Sequence, residues 1–481
     1  MEYSLALQIL ILLPVLLVPA IVLTKNSPNM REAVSLAGGV VLLCLAIFCY
    51  QSLASEQPTQ VTWLEILPGL SLSFLIEPYG VLFALVASFL WIVTTLYAIG
   101  YMRGHNESNQ TRFYACFAIA ITGVMGVAMA ENLFTLFLFY ELLTLSTYPL
   151  VTHAGNDKAK TGGRIYLSIL LGTSILLLLP AIIITWSLTG TLSFQQGGIL
   201  SQLDSPVLTS VLLVLFVFGI GKAALMPVHR WLPAAMVAPT PVSALLHAVA
   251  VVKAGVFSLL KVCGFIFGGD LLASLDVTQW LLYLAGVTII ISSLIAMRQD
   301  NLKARLAYST VSQLSYITLG ALLATSLSLT GGAMHIAMHA FGKITLFFCA
   351  GAIYVACHKT QVSELRGLGK QMPVTMVAFF IGSLSIIGLP PAGGTWSKWY
   401  LVMSTIDASQ WFLLVALMLS SLLNIVYLLS IPVQAFMPVK NNPVQGIKEA
   451  PLFSLGAIVV TSLGCIWLFV QPQWLLDLIQ Q

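Results

Sequence analysis

The chain has 481 residues, 58% of them hydrophobic and only 8% charged, where an ordinary soluble domain carries roughly 25% charged residues. A water-soluble globular fold is excluded, and the length holds more than a dozen membrane spans of about 20 residues each. The net charge of +4 goes with a one-sided placement of basic residues across those spans, so it gives no support to nucleic-acid binding.

Glu2 stands where a cleavable leader would be basic, and the first apolar run continues to about residue 24, which predicts a span. Hydropathy predicts fourteen spans in all, at about 4–24, 32–52, 78–100, 113–130, 132–152, 164–188, 207–233, 242–265, 278–297, 302–323, 329–357, 374–404, 411–436 and 452–472. Residues 61–76 alternate apolar and polar around Pro68-Gly69, the pattern of a short β-hairpin on the outer face. Two spans are interrupted, one by Met226-Pro227 and Leu232-Pro233, the other by Pro390-Pro391 and Gly393-Gly394. Proline removes an intrahelical hydrogen bond, and backbone freed at membrane depth is tolerated only beside protein or water. With this count, 113–265 and 278–436 hold five helices each, and each has its broken helix fourth. An odd number makes the two units run in opposite directions, as in inverted-repeat transporters. The expected fold is therefore an all-α polytopic membrane protein. Segment 1–112 is read as an N-terminal three-helix unit with the hairpin, and 437–481 as a C-terminal helix.

Sixteen of the 21 Lys and Arg residues lie in or beside alternate loops: Lys25, Arg31; Arg103, Arg112; Lys158, Lys160, Arg164; Arg230; Arg298, Lys303, Arg305; Lys359, Arg366, Lys370; and Lys440, Lys448. The opposite loops carry Glu56, Glu65, Asp204, Asp270, Asp276 and Asp407, with no basic residue. The positive-inside bias then directs both termini away from the cytoplasm. Asn106 and Asn109 begin glycosylation-like triplets, but in a cytoplasmic loop these read as chance matches. The seven cysteines form no C-x-x-C pair and read as small buried residues.

The five remaining lysines, Lys222, Lys253, Lys261, Lys343 and Lys398, fall inside apolar runs. Ionisable groups there cost several kcal/mol and mark functional sites by default. Glu141 is the one acidic residue central to a span. It reads either as a neutral packing carboxyl or as the partner of Lys222. A pair 4–7 Å apart at an effective dielectric of about 20 is worth roughly 2–4 kcal/mol, enough to work as an openable proton valve. Lys253 lies mid-span, six residues after His247. His335, His339 and Lys343 recur every four residues and so share one helical face. A proton relay suits them, since neutral imidazole both accepts and donates. Zinc is the competing reading, but no third ligand is evident nearby. Lys398, flanked by Trp396, Trp399 and Tyr400, is either an outer exit site or a snorkelling residue. Lys261 reads as snorkelling at the outer end of its span. The polar run Tyr308, Ser309, Thr310, Ser312, Gln313 and Ser315 either holds water or satisfies helix contacts.

Three stretches are distinctive: F-Y-E-L-L-T-L-S-T-Y-P-L-V around Glu141, K-A-A-L-M-P-V-H-R-W-L-P-A-A-M-V-A-P-T-P-V-S-A-L-L-H-A-V-A-V-V-K-A-G-V from Lys222, and L-A-Y-S-T-V-S-Q-L-S-Y. Over about 78–436 the chain resembles the proton-conducting antiporter-like family shared by respiratory complex I, membrane-bound hydrogenases and Mrp-type cation/proton antiporters. The resemblance implies fourteen helices with two inverted five-helix units. It implies Glu141 and Lys222 as a coupled pair, His247 or Lys253 as a bridge, His335, His339 and Lys343 as a second half-channel, and Lys398 as the terminal site. Lys398 is similar to the lysine found in D-type Mrp subunits and in the distal member of complex I. The chain ends nine residues after its last expected span, without the long lateral helix of that distal member, which favours a D-type Mrp protein. The function so implied is proton translocation within a multi-subunit Na⁺/H⁺ antiporter of a bacterial inner (plasma) membrane, with other integral membrane subunits as partners. No cofactor, metal or nucleotide site is expected. The alternatives are the pump module of a redox complex and the membrane component of an inorganic-carbon uptake complex.

Overall fold

A computed structural model describes residues 2–54, 59–438 and 448–481; Glu56 and Lys440 lie outside the described residues. Among those described, eleven helices are long and apolar enough to cross a membrane by length and composition. In chain order the helical runs that matter are α1 (Tyr3–Leu23), α2 (Pro28–Ser52), α3 (Pro78–Gly104), α4 (Gln110–Ala128), α5 (Leu133–Val151), α6 (Asp157–Thr189) and α7 (Pro206–Gly219). There follow α8 (Thr240–Phe267), α9 (Asp276–Arg298), α10 (Leu302–Leu323), α11 (Ser326–Cys357), α12 (Pro373–Ile387), α13 (Gly394–Asp407), α14 (Trp411–Phe436), α15 (Leu452–Val470) and α16 (Gln473–Gln480). The last is a short helix beyond the single C-terminal helix expected from hydropathy.

Both expected interruptions are present. After α7 the chain runs through short turns from Gly221 to Val237, with a cis peptide at Met226-Pro227. Between α12 and α13 it breaks at Gly388, which takes φ +87°, and continues through a cis Pro390-Pro391 bond. Gly394 opens α13 where a Cβ would stand 1.8 Å from the Ser385 carbonyl oxygen, so only glycine lets the two half-helices pass this closely. The central helices α8 and α11 are almost wholly buried, as expected of the axis of a bundle.

The hairpin also forms, with β1 (Gln60–Leu67) antiparallel to β2 (Leu70–Leu75) and Leu67 paired to Leu70 across Pro68-Gly69. It is docked on the start of α5. The Asn132 side chain accepts from the Thr135 N–H as the helix cap and donates to the Ser71 carbonyl (2.9 Å) and Ser73 Oγ (2.8 Å). Ser73 Oγ in turn donates to the Glu131 carboxylate at 2.7 Å.

Candidate functional site

The broken segment after α7 presents Lys222 to α5. Its ammonium donates to the Tyr140 carbonyl (2.8 Å) and to Thr144 Oγ1 (2.6 Å), and lies 3.1 Å from the Tyr140 ring centroid. Its backbone N–H donates to Tyr140 Oη, and the indole of Trp231 donates to the Gly221 carbonyl, which also accepts from the Ala224 N–H (3.0 Å). The lysine thus bonds the residues either side of Glu141 and makes no ion pair with Glu141 itself within 4 Å. Both Glu141 carboxyl oxygens are buried without a hydrogen-bond partner among the described residues.

Gly255 brings the next group close. A Cβ there would meet the Lys222 carbonyl carbon at 2.4 Å, so α8 lies directly against the Lys222 backbone two residues from Lys253. Lys253 is fully buried, and its Nζ stands 2.5 Å from His339 Nδ1 on α11. Five residues of α8, Leu245–Val249, form a π turn. This turn carries His247, whose Nδ1 meets Thr310 Oγ1 of α10 at 3.0 Å and whose ring packs 4.6 Å from Phe347. π turns recur at functional positions because they re-aim one side chain within a helix.

On α11 the three i, i+4, i+8 residues line up as their spacing predicts. The rings of His335 and His339 stack 5.7 Å apart. Lys343 donates to the Leu306 carbonyl (3.2 Å) and Ser309 Oγ (2.6 Å). His335 Nδ1 meets Ser397 Oγ of α13 at 2.8 Å, one residue from Lys398. Lys398 is only 6% exposed and therefore does not snorkel. It donates to the Ile387 carbonyl (3.0 Å) at the broken end of α12 and to Ser421 Oγ (3.2 Å). Lys222, Lys343 and Lys398 thus share one kind of seat, a carbonyl plus a hydroxyl. An ammonium has three donors, so each seat leaves one N–H uncommitted within the chain. The Nε2 atoms of His247, His335 and His339 are likewise buried without a partner among the described residues.

Lys261 differs from its expectation. Instead of reaching the surface it is 1% exposed, ion-paired with Glu77 at the start of α3 and flanked by the rings of Phe194 (4.1 Å) and Phe265 (4.8 Å). Sequence reasoning missed Glu77 as its partner, although an acidic residue just before a span was the available signal. The polar run 308–315 divides. Ser309 and Thr310 touch Lys343 and His247, Ser312 bonds Ser293 and Ser420 between helices, and the Gln313 amide is buried beside Tyr316. Among the described residues, no three His, Cys, Asp or Glu side chains gather as a metal site.

Long apolar helices, several of them broken or π-turned and carrying buried titratable side chains, define the class: a polytopic membrane protein. Residues 130–424 match the family described as NADH:quinone oxidoreductase/Mrp antiporter, TM, and the chain belongs to that family. It is 34% identical to the N subunit of the NADH-quinone oxidoreductase of Desulforudis audaxviator, over 88% of this chain and 84% of that one. It is 31% identical to the A/B component of a probable K(+)/H(+) antiporter of Rhizobium meliloti over 77% of its length, but spans only 37% of that larger protein. In fold it is similar to a chain of the Mrp complex from Dietzia sp., with a TM-score of 0.88, 23% identity and coverage of 100% of this chain and 96% of the other. A chain of an archaeal membrane-bound sulfane sulfur reductase aligns with a TM-score of 0.86 and 23% identity over 99% of this chain and 96% of the other.

Proposed function

We propose that the chain moves protons through the membrane along Glu141, Lys222, His247, Lys253, His335, His339, Lys343 and Lys398. The observation that carries this reading is the 2.5 Å contact between Lys253 and His339, which joins groups seated on two halves of the chain. Uncommitted lysine donors and unpartnered imidazole nitrogens beside it are the kind of buried polar atom that ordered water satisfies, and water-linked titratable groups pass protons. On this reading Glu141 is the charge that holds or releases the Lys222 proton, as its position three residues from Thr144 allows.

The same reading takes residues 206–237 and 373–407 as one interrupted crossing each, which makes fourteen crossings. It pairs 113–265 with 278–436 as inverted units, leaving 1–112 and 437–481 as flanking segments. Both termini then face away from the cytoplasm of a bacterial inner membrane. Glu141 sits between Leu138 (41% exposed) and Leu145 (56% exposed) on one stripe of α5. The Glu141 carboxyl oxygens are themselves buried, and the exposed leucines beside them leave room for a neighbouring subunit on this face.

Within that assembly, we infer that proton movement is exchanged for a monovalent cation, Na⁺ by preference, in a multi-subunit antiporter of the Mrp type. The 34% relationship to a quinone oxidoreductase component over 84% of its length favours a second reading, a pump module driven by electron transfer in partner subunits. Proton movement in inverted vesicles containing the assembled complex tests both. Antiport predicts pH changes driven by added Na⁺, whereas the redox reading predicts pumping only with an electron donor. Replacing Glu141 by Gln or Lys222 by Ala is expected to abolish either. Retained proton movement in both variants would refute the pathway.

A further inference from the structure

The conduction pathway above begins with groups sealed inside the protein, and nothing in it yet gathers protons from water. On the basic-loop face, a cavity of about 470 Å³ opens between the ends of five helical segments, lined among others by Tyr101, His105, Glu107, Thr240, Lys303 and Tyr354. At its rim His105 Nδ1 meets the Glu107 carboxylate at 3.0 Å, with side-chain exposures of 27% and 18%, so both side chains reach water. The His105 ring packs 5.1 Å from Tyr354 and 5.9 Å from the exposed His358.

The inner wall of the cavity points at the relay. Thr240 begins α8 and Lys303 lies in the first turn of α10. Seven residues further along each of these helices stand His247 and Thr310, the pair bonded at 3.0 Å. At a rise of about 1.5 Å per residue, the bridge therefore lies roughly 10 Å beyond the cavity along both walls. Lys303 closes the gap between these walls by donating to the Ala238 carbonyl at 2.5 Å.

The loop itself does not require the Glu107 carboxylate. Its turn is closed by the Gln110 side chain, which donates to the Met102 carbonyl (3.3 Å) and the Glu107 carbonyl (3.1 Å), and by left-handed Asn106 and Asn109. Glu107 also faces Lys303, Tyr101 and His153 within electrostatic reach, and Lys359 lines the same cavity. His153 is buried, and burial together with Arg112 lowers its pKa from the ordinary histidine value.

We propose that His105 and Glu107 form a proton-collecting site that loads the His247–Lys253 bridge through this cavity. The need for such a site follows from diffusion. At pH 8 free protons are so dilute that encounter alone supplies a lone acceptor slowly. An imidazole–carboxylate pair at the water-facing mouth holds an exchangeable proton beside the entrance, because imidazole both accepts and donates.

This inference rests on the conduction reading, and the test separates the two. Proton uptake from the basic-loop face is measured for the complete complex in vesicles, with a His105→Gln/Glu107→Gln double variant, a Glu107→Asp variant and Lys253→Met. At pH 8 in weak buffer the double variant is expected to lose about tenfold or more in uptake rate, since a positioned acid–base group contributes at least that much to a proton transfer. Rates should return at pH 6.5, or on adding a small mobile buffer at about 50 mM, and Glu107→Asp should keep most of the activity. Unchanged uptake in the double variant at pH 8, with Lys253→Met inactive, would overturn the collecting site and leave conduction standing. A loss equal at every pH and buffer strength would reduce the pair to a structural role and also overturn it. Unaltered uptake in Lys253→Met would instead bring down the conduction reading, and the collecting site with it.

Discussion

Lys253 carries the sharpest expectation at the scale of single residues. It is fully buried, and among the described residues its hydrogen-bonding partner is His339. Removing the buried ammonium lifts its desolvation cost, but it leaves His339 Nδ1 without its partner, and the two effects oppose each other. Lys253→Met is therefore expected to assemble normally with a thermal stability close to that of the parent, while proton flux is lost. A thermal melt of the purified complex beside a flux assay reads both. Falling stability together with falling flux would assign Lys253 to packing. Much at this scale was legible beforehand, because a lysine in an apolar run is conspicuous in any sequence. Lys222, Lys343 and Lys398 were all found that way. Their shared seat was not legible, since Tyr140, Leu306 and Ile387 contribute backbone carbonyls that any residue type would supply. Lys261 was misread for a related reason: its partner Glu77 is 184 positions away, and end-of-span lysines commonly reach water.

At the scale of elements, two contacts hold the pathway helices in place. The Glu77–Lys261 pair ties the start of α3 to the outer part of α8. Removing one partner of a buried pair leaves the other charge uncompensated, at a cost of about 3–5 kcal/mol. Lys261→Met is expected near the lower end of that range, since Glu77 keeps 13% side-chain exposure. Adding Glu77→Gln should recover most of the loss. A double-mutant cycle on unfolding or complex dissociation checks this, and simple additivity of the two changes would refute the pairing. Gly255 provides the second contact. In Gly255→Ala the new methyl collides with the backbone at Lys222 and Ala223, where the approach is 2.4 Å, and neither backbone has room to yield. Reduced conduction and a lowered melting temperature are expected together, whereas an unaffected flux, whether driven by Na⁺ or by electron transfer, would contradict the close packing. Sequence patterning located the breaks, through proline and glycine, and the hairpin, through alternation about Pro68-Gly69. It had no means of locating the π turn at Leu245–Val249, because Leu, His, Ala and Val suit an α-helix equally and the extra residue is accommodated by packing against α10 and α11.

For the molecule as a whole, one helix differs in kind from its neighbours. α11 runs 32 residues with no proline and no π turn. At 1.5 Å per residue it spans about 48 Å, well beyond the roughly 30 Å hydrocarbon thickness of a bilayer. α8 bends through π turns, and the chain beside Lys222 and Lys398 is broken outright, but α11 is an unjointed rod. It carries His335, His339 and Lys343, and further along it also walls the water-facing cavity with Ala350 and Tyr354. From His335 to Tyr354 is 19 positions, about 28 Å along the axis. Mechanically, the rod couples position at both ends: a tilt or slide imposed at the cavity by a wedged molecule, or by a neighbouring protein pressing on the basic-loop face, reaches the imidazoles as displacement in register. Contacts set at 2.5 to 2.8 Å break under shifts of about an ångström, so a push at the rim translates into opened links at Lys253 and Ser397 without any change in their chemistry.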